Sequence, residues 1–229
     1  MTTASQSKRT AASAKNERTA ASAENDGKGG AQRKGEGTAT RILDVAERLV
    51  QERGFNGFSY ADVAAELNVT KASLHYHFAG KAELGQALMA RYGERFAEAL
   101  QVIDAGGAQA PEQLAAYADL YADVLRGRRM CLCGMLAAEF GTLPGPIREG
   151  VIAFFDQNEA WLEMVLERGA RDRTLRLDGS PRETAQTIVS GLEGAMLIAR
   201  PYGDVKRFED AAARLLASVA GAAPRPVAS

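Results

Sequence analysis

The sequence predicts an all-α protein with about nine helices and no pair of strands. Alanine supplies 43 of the 229 residues, and alanine loses no side-chain entropy in a helix. From Thr38 onward, apolar residues recur at spacings of three and four, as they do on one face of a helix. Glycine, proline and capping residues separate these segments. Composition, spacing and helix-terminating residues therefore all indicate the same fold class.

Composition also narrows the class of protein. The chain has 46% apolar and 25% charged residues, as globular proteins do, and its formal net charge is −1. This charge argues against a polycation that coats nucleic acid or membranes, but it permits a localised basic face. Two cysteines are too few for a disulfide framework, no apolar run reaches a membrane span of roughly 20 residues, and no secretory signal is present. We expect a cytoplasmic protein with no membrane partner.

The two ends of the chain lack any pattern that predicts packed structure. Residues 1–37 carry no large apolar side chain after Met1, so the sequence predicts a disordered arm. Seven Lys or Arg residues stand against four acidic residues in this arm. It is therefore either a solvated tail or a segment that contacts DNA. Residues 222–229 are expected to form a flexible tail.

Three helices are predicted for residues 38–85. The first has its apolar residues on one face and ends at Gly54. Ser59 is placed to cap the second helix, with Asp62 at the third position of a capping box. Thr70 is placed to cap a short third helix. Two short helices joined by a turn form a helix-turn-helix arrangement.

Six further helices are predicted beyond this segment. Pro111 and Pro181 suit first-turn positions, where a missing N–H costs nothing, and Pro201 lies beyond the end of a helix. The predicted ranges are 81–103, 111–126, 132–140, 146–171, 181–200 and 204–219.

The third helix carries the pattern that points most directly to function. At about 100° per residue, Leu74 and Phe78 point in similar directions, toward a three-helix core. Ala72, Ser73 and Tyr76 then point away from that core. Small side chains allow close approach to a DNA groove, and Ser and Tyr hydroxyl groups can hydrogen-bond to base edges or phosphates. This pattern indicates a recognition helix for the major groove.

Two stretches of the chain resemble the DNA-binding head of TetR/AcrR-type repressors. Residues 40–55 (TRILDVAERLVQERGF) are similar to the family's first helix, and residues 59–84 (SYADVAAELNVTKASLHYHFAGKAEL) to its second and third helices and the start of its fourth. The resemblance implies an all-helical homodimer. Each subunit would have a helix-turn-helix head, residues 38–85, and a ligand-binding and dimerisation domain, residues 86–221. The last two helices would form the interface, and residues 191–199 (GLEGAMLIA) loosely resemble the family's C-terminal half.

The resemblance also implies which residues contact DNA. The positions that match backbone contacts are Ser59, Thr70, Lys71, Tyr76, His77 and Lys81, with Arg41 as a further candidate. The positions that match base-reading contacts are Ala72, Ser73 and His75, where the family often has Tyr in place of His75. Ser59 and Thr70 would cap helices with or without DNA, so capping alone is the alternative role for both.

Aromatic and methionine side chains are frequent between the head and the last two helices. Read from the residues alone, they are core. The resemblance implies that a subset lines a cavity for a small, mostly apolar effector. The candidates are Tyr92, Phe96, Tyr117, Tyr121, Met135, Glu139, Phe155, Trp161 and Met196. An effector that prefers a conformation with badly spaced heads would lower the affinity for the operator.

The two cysteines, Cys131 and Cys133, stand two residues apart. On a helix such side chains diverge, so a bridge between them would require the segment to unwind. Arg128 and Arg129 precede them and would lower a thiol pKa if they lay close. Two interpretations remain open: a redox or electrophile sensor, or two buried small apolar groups.

No enzyme class fits this inventory. The only histidines, His75 and His77, both lie on the predicted recognition helix, and their spacing does not suit a helical metal site. We predict no catalytic residue, no metal and no cofactor. The helix-turn-helix pattern, together with what the TetR/AcrR resemblance implies, predicts a homodimeric, ligand-responsive transcriptional repressor of a palindromic operator. The alternatives are a helical protein-binding adaptor, a redox-sensing repressor that uses the two cysteines, and an activator.

Overall fold

The computed structural model describes residues 37–220. Within this range there are nine α-helices and no strand. The helices are α1 (37–53), α2 (Tyr60–Leu67), α3 (Lys71–His77), α4 (Lys81–Ala105), α5 (Ala110–Arg126), α6 (Leu132–Ala138), α7 (Gly145–Arg171), α8 (Pro181–Ala199) and α9 (Val205–Ala220). Short 3₁₀ turns cover Phe140–Thr142 and Arg200–Tyr202. The all-α prediction is confirmed for this part of the chain.

The chain divides into two compact units, Met1–Asp44 and Val45–Ser229, with the boundary inside α1. Of the first unit only residues 37–44, all helical, are described. The predicted arm (apart from its last residue, Gly37) and the predicted tail lie outside the described residues. The expected boundary between head and ligand-binding domain, after residue 85, falls within α4.

Local chemistry sets most helix ends where the sequence predicts them. Gly54 follows α1 with a φ of +85°, a conformation that strains residues with a Cβ. The Thr70 side chain accepts a hydrogen bond from the N–H of Ser73 at 3.2 Å, which caps α3. Ser180 caps α8 through the N–H of Glu183 at 3.2 Å. These caps satisfy N–H groups that have no partner inside the helix.

Helix α7, with 27 residues, is central to the core of the second unit. It packs against α4, α5, α6 and α8, and α8 in turn packs against α9. Its buried face is mostly apolar and includes Val151, Phe154, Trp161 and Leu162. Helices that are apolar along one face are held mainly by this burial rather than by their own propensity.

Helix α4 joins the helix-turn-helix segment to this core. Gly85 permits the approach, because a Cβ there would lie 2.8 Å from the Phe55 ring and would also overlap Ile147 of α7. Farther along α4, Arg91 and Arg95 donate to the buried carboxylate of Glu47 on α1, at 2.8 and 2.9 Å. Contacts on both sides of α4 thus link the head to α7.

Among residues 37–220, no helix combines the length and apolar character needed to cross a membrane.

Candidate functional site

Helices α2 and α3 form the predicted helix-turn-helix, and buried apolar residues fix the orientation of α3. Leu74 is fully buried and Phe78 nearly so. The Tyr60 hydroxyl of α2 donates to the carbonyl of Phe78 at 3.0 Å, which ties the end of α3 to the start of α2. With Leu74 directed inward, the opposite face of α3 is turned to solvent.

This outward face carries the predicted base-reading strip, which comprises Ala72, Ser73 and Tyr76. Ala72 is exposed, Ser73 is half-buried and the Tyr76 side chain is 85% exposed. The Tyr76 ring meets His77 edge to face, with centroids 5.2 Å apart. The ring and hydroxyl of Tyr76 are therefore accessible to another molecule on this face of α3.

His75 lies at the edge of the strip and is held by its own helix. Its Nδ1 is 3.0 Å from the carbonyl oxygen of Ala79, and its ring packs on Tyr60 at 4.8 Å. A carbonyl only accepts, so Nδ1 carries the proton and donates. The exposed His75 ring is therefore fixed in direction before any ligand arrives.

The remaining predicted phosphate contacts differ in how far their side chains are already engaged. Lys71 is exposed at the start of α3, and Arg41 is exposed on α1. The Asp62 carboxylate accepts from both the N–H and the hydroxyl of Ser59 at 2.7 Å, and the Ser59 hydroxyl bond is the main reason that the Asp62 pKa is lowered. Ser59 and Thr70 therefore cap helices in the absence of DNA.

Lys81 is placed differently from the expectation for a phosphate ligand. Its ammonium group donates to the carbonyl of Phe58 and lies 4.7 and 4.3 Å from the ring centres of Phe55 and Phe58. Burial lowers the Lys81 pKa. The side chain thus fastens the start of α4 to the turn between α1 and α2.

The second unit gathers five of the nine predicted effector residues into one aromatic cluster. Ring centroids lie 5.4 to 6.4 Å apart for neighbouring pairs within the set Tyr92, Phe96, Tyr117, Tyr121 and Trp161. The Tyr117 hydroxyl donates to Asn158 at 2.9 Å and lies 3.0 Å from the Tyr121 hydroxyl. The cluster is therefore an aromatic core with a polar centre.

The other four predicted effector residues make different contacts. Phe155 touches Phe154, with centroids 5.6 Å apart, and Met196 is fully buried on α8. The Met135 sulfur accepts from Arg200 at 3.3 Å. Glu139 accepts from the N–H groups of Phe55 and Asn56, at 2.5 and 3.3 Å. Glu139 is thus bound to the turn after α1 rather than to the aromatic cluster.

Two cavities border the core without including any of the nine predicted residues. One, of about 310 Å³, lies between α4 and α7 and is lined by Met89, Gly93, Gly150 and Phe154 among others. The other, of about 550 Å³, lies between the end of α5 and the α8–α9 connection. The first borders the aromatic cluster, because the ring centres of Phe154 and Phe96 lie 5.0 Å apart.

Comparisons with known proteins agree with this geometry. A model of bacterial regulatory proteins of the tetR family matches residues 42–88, and a model of the tetracyclin repressor-like C-terminal domain matches residues 110–215. A TetR-family regulator of Agrobacterium tumefaciens superposes with a TM-score of 0.79 at 31% identity, over 82% of this chain and 100% of that one. The chain belongs to the TetR/AcrR family.

Further relatives carry the same assignment. A TetR regulator of Legionella pneumophila is 34% identical, with a TM-score of 0.71 over 78% of this chain and 95% of that one. The HTH-type transcriptional repressor NemR of Escherichia coli K12 is 27% identical over 188 residues, which are 78% of this chain and 92% of that protein. TetR/AcrR proteins are helix-turn-helix transcriptional regulators that bind operator DNA and act as dimers.

The two cysteines of this TetR/AcrR protein are buried beside the aromatic cluster. The Tyr92 hydroxyl donates to the Cys131 sulfur at 3.8 Å. Hydrogen bonding from Cys133, with further contributions from Glu193 and Tyr92, holds the Cys131 pKa at about 6, whereas burial raises the Cys133 pKa. The main causes are not the predicted arginines, since Arg129 instead donates to Gln51 at 3.3 Å.

The sequence analysis did not single out two polar residues, Asn158 beside the tyrosine hydroxyl groups and Glu193 near the cysteines. Asn158 lies on the apolar face of α7, four residues from Phe154 and from Leu162, so its spacing was a usable signal. Glu193 lies four residues after Val189 and three before Met196, again on the buried face of its helix. Burial and the neighbouring Cys131 raise the Glu193 pKa. Within the described part of the chain, no three His, Cys, Asp or Glu side chains are grouped to hold a metal ion.

Proposed function

We propose that the protein is a homodimeric repressor that binds a palindromic operator through α3 and is released by a small-molecule effector. The observation that supports this best is the outward strip of Ala72, Ser73 and Tyr76, with a tyrosine that is 85% exposed. The small residues let α3 approach base edges, and the hydroxyl groups meet bases or phosphates. The operator is in the cytoplasm, so we place the protein there.

The other DNA contacts follow from where the side chains lie. His75 reads a base at the edge of the strip, and Lys71, His77 and Arg41 approach phosphates. Ser59 and Thr70 present exposed helix starts whose N–H groups favour anions. Lys81 acts mainly by holding the head to α4, because its ammonium group is bound within the protein.

A dimer formed through α8 and α9 would supply the two recognition helices that a palindromic operator requires. Two recognition helices about 34–36 Å apart enter successive major grooves of one operator. On α8, Leu197 and Ile198 are each 57% exposed, which suits a surface that a second copy covers. An effector that prefers a different spacing of the heads lowers the operator affinity by shifting the population.

The effector is expected to be small and largely apolar, with a polar group. The aromatic cluster supplies the apolar surface, and the hydroxyl groups of Tyr117 and Tyr121 with the Asn158 amide supply a polar centre. Access through the cavity between α4 and α7 would bring a ligand to Phe154 first.

The repressor assignment is tested by binding to DNA from the promoter region beside the protein's own gene. Tyr76→Ala is expected to weaken operator binding by about 1–3 kcal/mol and to leave the dimer intact. Fluorescence anisotropy measures the affinity, and sedimentation velocity measures the dimer. Tyr202→Ala removes another exposed tyrosine, 65% exposed and outside α3, and should bind like the wild type. Equal affinities for the wild type and Tyr76→Ala would contradict the proposal.

A protein-binding adaptor is the competing function in a different class. A gel-shift assay at several salt concentrations separates the two functions. The repressor is supported if the protein retards the DNA and if the logarithm of its affinity falls by roughly 0.9 per log unit of salt for each phosphate contact. Binding that is absent, or insensitive to salt, would favour the adaptor.

A second candidate is a repressor whose signal is a chemical change at Cys131 and Cys133. The hydrogen bond from Tyr92 to the Cys131 sulfur and the nearby Glu193 carboxyl group favour it. The double variant Cys131→Ser, Cys133→Ser is expected to keep operator binding and to lose release by thiol-reactive compounds. Unchanged release in that variant would end this candidate.

A further inference from the structure

We propose that the cavity between the end of α5 and the α8–α9 connection binds a small organic carboxylate with an apolar ring. We call it the arginine cavity, because Arg126, Arg128 and Arg200 line its volume of about 550 Å³. None of the nine predicted effector residues lines it, so it would be a second ligand site. Only its effect on DNA binding rests on the proposed repressor function.

Positive charge dominates the walls of the arginine cavity. Asp204, at the start of α9, is the one carboxylate among the described residues that line it. The Asp204 side chain accepts from the N–H of Arg207 at 3.3 Å, as a helix cap does. Guanidinium groups stay charged in proteins, and like charges in a shared cavity repel one another. An anion bound between the arginines would therefore lower the electrostatic free energy of this region.

Arg126 and Arg128, near the end of α5, differ in what they already bind. Arg126 pairs with Asp123 and with Glu209 of α9, each at 2.6 Å. The exposed Arg128 side chain makes no hydrogen bond or ion pair with another residue of the range 37–220. Arg128 is therefore free to bind a ligand, whereas the charge of Arg126 is balanced within the protein.

Arg200, directly after α8, is half-buried and bonds to neutral acceptors. Its guanidinium donates to the Met135 sulfur at 3.3 Å and to the carbonyl of Glu52 on α1. A carboxylate accepts more strongly from a guanidinium than these neutral groups do, and its two oxygens match the guanidinium fork. Arg128 and Arg200 thus supply donors that have no carboxylate partner among the described residues.

The rest of the arginine cavity suits the apolar part of a ligand. Its volume lies within the roughly 300–1,000 Å³ of small-molecule sites. Leu125, Pro201 and Val205 line it, and so does Tyr202, whose side chain is 65% exposed. The Arg207 guanidinium packs on the Tyr202 ring, 4.0 Å from its centre. A flat ring can lie against these side chains while its carboxylate meets the arginines, so the walls favour an aromatic acid over an inorganic anion.

The arginine cavity is connected to the end of α1, the first helix of the head. Arg200 donates to the carbonyl of Glu52, and the Met130 N–H, two residues after Arg128, donates to the carbonyl of Gln51 at 3.2 Å. A bound carboxylate competes with the Glu52 carbonyl for Arg200, and the charged acceptor is the stronger one. The last turn of α1 then loses a contact that fixes the head. We therefore expect an occupied cavity to lower the operator affinity.

The test uses the full-length protein with 2-naphthoate as the probe and 2-naphthamide as a matched compound without charge. Isothermal titration calorimetry measures both affinities. We expect 2-naphthoate to bind at least about tenfold more tightly than 2-naphthamide, because only the carboxylate forms charge-assisted hydrogen bonds with the arginines. Arg128→Ala should weaken 2-naphthoate binding by about tenfold or more.

Two control variants show where the probe binds. Arg173 is another exposed arginine with a left-handed backbone, at a φ of +60° against +58° for Arg128, and it does not line the cavity. Arg173→Ala loses the same charge at the same backbone conformation and should bind 2-naphthoate like the wild type. Tyr117→Phe removes a hydroxyl group from the aromatic cluster and should also leave this affinity unchanged.

Fluorescence anisotropy with operator DNA tests the link to the head. Saturating 2-naphthoate is expected to raise the operator Kd of the wild type about fivefold or more, whereas 2-naphthamide at the same concentration should not. Arg128→Ala should bind the operator like the wild type without ligand and should show no rise at that concentration.

The outcomes separate the carboxylate site from the repressor function. Unchanged binding of 2-naphthoate to Arg128→Ala, or an equal loss in Arg173→Ala or Tyr117→Phe, overturns the site. Equal affinity for 2-naphthamide or for inorganic phosphate overturns the ligand class. An operator Kd that saturating 2-naphthoate leaves unchanged overturns the link to the head. If the protein without ligand binds no operator, the repressor function fails, whereas calorimetry still shows whether the cavity binds the carboxylate.

Discussion

Glu139 illustrates what one residue's position can and cannot reveal in a sequence. An acidic residue among aromatics suggested a contact to an effector, but its carboxylate accepts from backbone N–H groups at Phe55 and Asn56. Those partners lie more than 80 residues earlier in the chain. Local patterns do not encode such a pairing. By contrast, the capping roles of Ser59 and Thr70 involve partners three residues away, and these were predictable.

At this scale we predict that Glu139→Ala destabilises the protein. The Phe55 and Asn56 N–H groups would lose a charged acceptor, which costs about 1–3 kcal/mol. Urea denaturation followed by circular dichroism gives the free energy of unfolding. Glu149→Ala, at an exposed glutamate of α7, should change it by roughly 0.5 kcal/mol or less. If the two variants lose equally little, Glu139 does not hold the turn.

Helices were predicted more accurately at their beginnings than in their packing. Prolines and caps place the starts of α5, α7 and α8 within a residue of the prediction, because these signals act locally. Helix ends were predicted less well: α6 begins at Leu132 as predicted, but it stops at Ala138 rather than at residue 140, and a 3₁₀ turn follows it. Just after this helix, Glu139 accepts a hydrogen bond from the Phe55 N–H of the head, a contact between residues far apart in the sequence. Periodicity did not predict which helices touch each other. A stripe of apolar residues shows which face of a helix is buried, but not which helix packs against it.

Helix α4 supplies a prediction at the level of elements. Gly85→Ala places a methyl group against the Phe55 ring and Ile147, and overpacking of this kind costs about 1–3 kcal/mol. Gly93→Ala in the same helix meets no atom within 4 Å and should stabilise the protein by up to about 1 kcal/mol, because alanine favours helices. Chemical denaturation of both variants checks the contrast. Destabilisation by Gly93→Ala, or none by Gly85→Ala, would contradict this account of α4.

For the whole molecule, the head was the most predictable part, and the region of the predicted effector residues was the least predictable. Head contacts such as Tyr60 with Phe78 span fewer than 20 residues, and a family resemblance covers them. The aromatic cluster draws Phe96, Tyr117 and Trp161 from three helices. Many aromatic sequences would fill such a core, so residue types alone do not separate a packed interior from a ligand site. The spacing of Glu193 places it on the buried face of α8, but its unpartnered oxygen is visible only in the structure.

The proposed dimer yields a prediction of its own. Leu197→Asp on α8 is expected to dissociate the dimer, because a carboxylate on a covered apolar surface loses hydration without a partner. Sedimentation equilibrium measures the dimer, and the operator Kd should rise with its loss. Met164→Asp, at a position on α7 that is 55% exposed, serves as the control and should remain dimeric. A Leu197→Asp protein that stays dimeric would place the interface elsewhere.

The fastening of Lys81 to Phe55 and Phe58 has a practical consequence for making hybrid regulators. A recognition module cut from this chain after α3 would leave behind the lysine that secures it, the glycine at 85 that makes room for it and the glutamate at 139 that binds its turn. A chimera that joins a foreign DNA-binding head to the C-terminal domain of this chain should therefore carry the first turns of α4 with the foreign head. It should also keep a carboxylate opposite the grafted turn.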